Sequence, residues 1–190
     1  GDNYEIARKI DAPGDGFLYI TGEEYSESEG KADIFVMRIS ETDGSVDWKT
    51  RYGGSDNDTG RGISVPGDGY VYVSGRQKST PGGDFDIFVM RIDADTGKFD
   101  TKVGTWARYY GGIGYDSATK IVVIGIHFYV PGVEGSDENN SNTGKDAFIL
   151  KDDVTSPTYG TAIGANWIAY GVDLTGVNWN GAGLIGADWI

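Results

Sequence analysis

Seven consecutive residues occur twice in this chain without a change. Asp33-Ile34-Phe35-Val36-Met37-Arg38-Ile39 returns as Asp86-Ile87-Phe88-Val89-Met90-Arg91-Ile92, 53 positions later. The same shift aligns Pro13-Gly14-Asp15-Gly16 with Pro66-Gly67-Asp68-Gly69, Tyr19 with Tyr72, Gly22 with Gly75 and Gly44 with Gly97. A chain built this way folds as copies of one supersecondary unit, each burying the apolar face of its neighbour.

Within a unit the signals are those of short strands and tight turns. In repeat one, residues 1–53, Tyr4–Ile10 precedes Pro13-Gly14-Asp15-Gly16, where Pro presets φ and Gly accepts positive φ. Phe17–Gly22 then reads as a strand, Glu23–Lys31 as a polar loop, Asp33–Ile39 as the next strand, and Val46–Tyr52, with Trp48, as the last. Repeat two, 54–111, follows the plan with Gly62–Val65, Tyr70–Ser74, Asp86–Ile92 and Lys98–Tyr110. Repeat three, 112–171, is degenerate. Ile121–Val123 and His127–Val130 give its first two strands, Ile124-Gly125-Ile126 replaces the Pro-Gly-Asp-Gly turn, and Asp146–Lys151 is a third copy of the organising run.

Four short strands per unit at a period of 50 to 60 residues predict an all-β, β-propeller-like chain of four-stranded blades. The tail, 172–190, reads in two ways: as half of a fourth blade, or as four five-residue units from Val172 like those of a pentapeptide-repeat helix. Three and a half blades fall short of the roughly four to eight of a propeller. Either neighbouring chains complete it or the chain is a fragment of a larger propeller. An open blade edge is a template for self-association.

The pattern Trp–x3–Tyr-Gly-Gly, then Pro-Gly-Asp-Gly-x-Val-Tyr-Val-x-Gly, then Asp-Ile-Phe-Val-x-Arg-Ile, resembles the SBBP family of β-propeller repeats. The resemblance covers residues 1 to about 171, strongest through Gly112. It implies a secreted or cell-surface bacterial or archaeal protein. It transfers no catalytic residues, because the family motif carries none.

Composition narrows the partners. The net charge of −13 disfavours nucleic acid and anionic membranes, and no run of Lys and Arg offsets it. No apolar run approaches the roughly 20 residues of a membrane span. Without Cys there are no disulfides, thiolate nucleophiles or Cys-ligated metals, and His127 is the only histidine, so neither a His-based triad nor a multi-His zinc site can be built.

Calcium is the natural cation for so acidic a chain. Asp93, Asp95 and Asp100 flank Gly97 with the spacing of hard-oxygen ligands around a bend, although the same residues also suit a hairpin turn with Gly in the left-handed region. Asp56, Asn57 and Asp58 are read as turn-forming side chains, with a cation site as the alternative. Asp33, Asp86 and Asp146 recur at the head of each organising run and are read as caps of backbone amides. Trp48, Trp106 and Trp167 are read as core, whereas Trp179 and Trp189 fall outside that phase and are candidate glycan or interface contacts. The functional expectation is a non-catalytic extracellular subunit of a surface layer, filament or adhesin. A carbohydrate- or calcium-binding module is the alternative, and a carboxylate-dependent hydrolase stands third.

Overall fold

A computed structural model describes residues 4–26, 31–54, 56–78, 84–100, 107–111, 114–135, 145–155, 166–168 and 183–184. Among the described residues there is no helix, and the strands form three sheets. The first is the meander β1 (Glu5–Asp11), β2 (Phe17–Ser26), β3 (Lys31–Ser40) and β4 (Val46–Tyr52). The second is β5 (Thr59–Ser64), β6 (Tyr70–Lys78), β7 (Phe85–Asp93) and β8 (Ala107–Tyr110). All pairings in these two sheets are antiparallel.

The third sheet departs at both edges. Its first-strand position is divided between β9 (Ser117–Ala118) and β10 (Val122–Ile124), both paired with β11 (His127–Gly135). Next come β12 (Lys145–Asp153) and β13 (Asn166–Ile168), and then β14 (Gly183–Leu184), which runs parallel to β13. Of the tail, 172–190, only Gly183 and Leu184 are described; Trp106, Trp179 and Trp189 lie outside the described residues.

The repeat extends to register. Gly22 opposes Phe35, Gly75 opposes Phe88 and Gly132 opposes Phe148. A Cβ on Gly75 would lie 1.9 Å from the Thr59 carbonyl oxygen and 2.6 Å from Phe88 Cε1. On Gly22 it would meet the Ile6 oxygen at 1.9 Å, so the ring and the neighbouring strand both need the missing side chain. One residue before each of these contacts is complete, the first strand bulges: the register slips between Ala7 and Lys9 in β1 and between Gly60 and Gly62 in β5. The surplus residues are Arg8 and Arg61.

The Pro-Gly-Asp-Gly turns act as the sequence predicts. Asp15 accepts from the Phe17 amide at 3.0 Å and from the Tyr19 hydroxyl at 2.8 Å; Asp68 repeats this with Tyr70 at 3.0 Å and Tyr72 at 2.7 Å. In repeat three Gly125, with φ +60°, makes the replacement turn.

Strands β2 and β3 are longer than the sequence predicts, covering much of the expected loop Glu23–Lys31. Glu23 through Ser26 look like loop because they are polar, yet they pair with Lys31–Ile34, and the Tyr25 amide donates to the Tyr4 carbonyl at 2.8 Å. In repeat two the predicted strand Lys98–Tyr110 resolves into a bridge between Phe99 and Ile92 and the separate β8.

Two apolar layers hold the sheets together. Tyr19, Ile34, Val36 and Tyr52 of the first sheet pack on Ile63, Val65, Val71, Val73, Phe88, Met90 and Ile92 of the second. Tyr72, Ile87, Val89 and Tyr110, the second sheet's equivalents of the first group, pack on Ile121, Val123, Phe128, Val130, Phe148 and Leu150 of the third. The second sheet thus turns one face to the first sheet and the other to the third. At about 25 cal/mol per Å² of apolar surface removed from water, these layers dominate the stability of the stack.

Candidate assembly interface

The contact between the first two sheets is built around the turn after β7. Arg38 Nη1 donates to the Ala94 carbonyl at 2.8 Å and Trp48 Nε1 donates to the same oxygen at 3.0 Å. The Gly97 carbonyl accepts from Thr50 Oγ1 at 2.8 Å and from the Tyr52 hydroxyl at 2.5 Å. Burial pushes the Tyr52 hydroxyl up to about 12, so it stays protonated and a donor. The Trp48 indole, edge-on to Tyr19 with centroids 6.3 Å apart, lies against Gly97. This places Trp48 between sheets, in agreement with its reading as core.

The same turn carries Asp93, Asp95 and Asp100, and the structure gives the three carboxylates separate partners. Asp93 Oδ1 accepts from the amides of Asp95 at 3.1 Å and Thr96 at 2.9 Å, and from the Thr96 hydroxyl at 2.9 Å. Asp95 is exposed and pairs with Arg38 at 3.3 Å. Asp100 is buried and ion-paired with Arg91. Among the described residues no group of three or more His, Asp or Glu is placed to hold a metal ion. The turn that carries these three carboxylates is also the docking turn: Asp93 shapes it, and the carbonyls of Ala94 and Gly97 receive the neighbouring sheet.

The other recurring acids are caps and ion pairs. Asp58 Oδ2 accepts from the Gly54 amide at 2.7 Å and Asn57 Oδ1 from the Ala32 amide at 2.8 Å. Asp58 is buried, which pushes its carboxyl up to about 6, helped by Asp33 and Asp56 nearby. Asp33 pairs with Arg51 at 2.8 Å and fills the space beside Gly53, where a Cβ would lie 2.1 Å from its Oδ1.

The second junction repeats the first. The Asp58 amide donates to the Ala32 carbonyl at 2.8 Å, and the Asp116 amide to the Phe85 carbonyl at 2.7 Å. Arg91 Nη1 reaches the Val154 carbonyl at 3.3 Å, as Arg38 reaches Ala94. A buried network is added here: Arg108 Nη1 donates to Asp152 Oδ2 and to the Asp153 carbonyl, each at 2.7 Å, and the Tyr110 hydroxyl donates to the same Asp152 oxygen at 2.7 Å. Its hydroxyl is held well above the usual range by burial and by Asp152.

On the first sheet, the face that in the second sheet is covered lies open. Ile10 is 59% exposed, whereas its equivalent Ile63 is 7% exposed. Val46 is exposed where Phe99 packs edge-on against Tyr52 with centroids 4.3 Å apart. Leu18, Ile20, Met37 and Ile39 are half-buried where Val71, Val73, Met90 and Ile92 are buried. The docking turn is exposed too: Glu41 and Gly44 stand where Ala94 and Gly97 are buried. At the other end of the stack, Tyr129 and Ile149 are half-buried and Ala147 is exposed at the positions of Tyr72, Val89 and Ile87. The first sheet therefore offers a complete acceptor face, apolar surface and turn together. The apolar half of this surface is visible in the sequence, but its exposure follows only from the order of stacking.

The chain matches no protein-family model and no curated protein.

Proposed function

We propose that this chain is a non-catalytic assembly subunit whose first sheet receives the third sheet of a second copy. The observation that carries the reading is the open face around Ile10, which matches position for position a face that is already an interface one sheet further on. Exposed contiguous apolar surface of this kind marks an association site. The contact joins two different faces, so it is heterologous, and repetition yields a closed ring or an open filament according to the rotation per step. Assembly runs through sheet faces, where the apolar side chains lie, rather than through the strand edges that an incomplete repeat points to. On this reading the sheets are blades of a propeller of the SBBP repeat type, completed between chains. The setting is extracellular or at the cell surface.

Light scattering of the whole chain across a concentration series tests this. The expected result is a mass several times that of one chain, reduced to one chain by Ile10→Asp with Val46→Lys. Both side chains are exposed in the isolated chain, so the fold is expected to survive the change, as circular dichroism will show. A wild-type mass of one chain at every concentration overturns assembly. Assembly that persists in the variant overturns the face.

A further inference from the structure

The two bulges carry an asymmetry that the repeat itself exposes. In the first sheet the bulged Arg8 pairs through Nη2 with Glu23 Oε1 at 2.5 Å, and the other oxygen of Glu23 accepts from Thr59 Oγ1 at 2.8 Å. A shift of 53 residues turns Arg8 into Arg61 and Glu23 into Arg76, at the same register and beside the same type of bulge. Where the first sheet has a cation and a carboxylate, the second has two cations.

Arg76 is held in place by other means. Its guanidinium lies over the Phe85 ring at 4.4 Å and the Tyr115 ring at 5.3 Å, and its Nη1 donates to the Tyr115 hydroxyl. Yet the Nε atoms of Arg61 and Arg76 are both buried without a hydrogen-bond acceptor among the described residues. Burial, and the charges of Arg76 and then Arg8, hold the Arg61 guanidinium below its usual value, with Tyr115 and then Glu23 opposing them. Both Glu23 oxygens are already engaged, one by Arg8 and the other by Thr59. Arginine stays charged in proteins, and half-buried like charges need a counter-ion with acceptor oxygens.

We propose that the Arg61–Arg76 pair binds a small oxyanion, taking the place that the Glu23 carboxylate holds in the first sheet. A guanidinium fork matches the two oxygens of a carboxylate or of a tetrahedral sulfate or phosphate, and such charge-assisted bonds are about twice as strong as neutral ones. The site is local: the chain as a whole is strongly acidic, so a polyanion is repelled while a small anion fits. It is independent of how the chain assembles.

The test is titration of the isotopically labelled chain with sulfate, and separately with acetate, at constant ionic strength set by chloride. The readout is the arginine Nε–H resonances. The expected result is a saturable shift of Arg61 and Arg76 with at least one of the two anions, the tetrahedral or the planar. Arg61→Gln should weaken the midpoint about tenfold or more, and Arg76→Glu, which restores the first sheet's pairing, should abolish it. Lys98→Gln, an exposed cation elsewhere, should leave it unchanged. Wild-type resonances that do not saturate with either anion overturn the proposal. So does saturation that Arg61→Gln leaves intact, and this variant decides the matter even if Arg76→Glu fails to fold.

Discussion

The indole of Trp48 in the first sheet lies against Gly97 in the second and donates its Nε1–H to the Ala94 carbonyl at 3.0 Å. Gly97 has φ +65°, and a Cβ there would come within 2.6 Å of Trp48 Cε3. Its counterpart Gly44 has φ +73° with open space around it. Gly44→Ala should therefore cost only the backbone penalty, about 1 kcal/mol. Gly97→Ala should cost that and the displaced indole besides, about 2–4 kcal/mol. Urea denaturation of the pair measures the difference, and equal losses would show that the turn does not hold the sheets together.

Gly75→Ala is expected to be more damaging than either. The added methyl meets a backbone carbonyl and the buried Phe88 ring, neither of which can retreat. A loss above about 3 kcal/mol, or failure to fold, is expected. Gly67→Ala, at φ +88° in open space, is the control. Its denaturation midpoint should move far less.

Arg108, Asp152 and Tyr110 form a buried set, so breaking it from one side is worse than removing its charges together. Arg108→Ala strands a buried carboxylate and should cost about 3–5 kcal/mol. Arg108→Met with Asp152→Leu should recover much of that loss. A double variant as unstable as the single one would contradict this account.

Asp58 gives the fold a pH dependence of known sign. Its carboxyl sits at about 6 against an ordinary 3.8, so between those values the folded chain holds a proton that the unfolded chain has released. Asp58 therefore makes stability fall as pH rises from 3.8 to 6, with a constant penalty above. Asp58→Asn removes that slope and adds a cost of about 1 kcal/mol at every pH, since one of the two amides that donate to its oxygens, those of Gly54 and Lys78, loses its acceptor. The stability of the variant relative to wild type should climb from pH 4 to pH 6 and then level off. A flat difference across that range would rule out Asp58 as its source.

The repeat made most of the sheet framework legible. Asp33–Ile39 and Asp86–Ile92 lie inside β3 and β7, and both Pro-Gly-Asp-Gly turns form where the residues require them. What stayed hidden depends on partners far away in the chain. The ion pair of Asp100 with Arg91 cannot be read from the sequence, and Glu23 reads as loop until Arg8 and Thr59 are seen beside it. The Arg61–Arg76 pair was within reach of the alignment, since Glu23 and Arg76 occupy one column. It is the bulge, which has no signature in the residues themselves, that makes Arg61 the surplus residue one strand away from Arg76.

Because the face that leaves one sheet is always received by the opposite face of the next, the contact between neighbours is written into each unit. Duplication of 53 residues by unequal recombination would lengthen the stack by one sheet without inventing a single new contact, and deletion would shorten it as simply. The number of sheets is then the property most open to evolutionary drift, while the arginine-to-carbonyl contact and the aspartate-amide contact common to both junctions come with each unit.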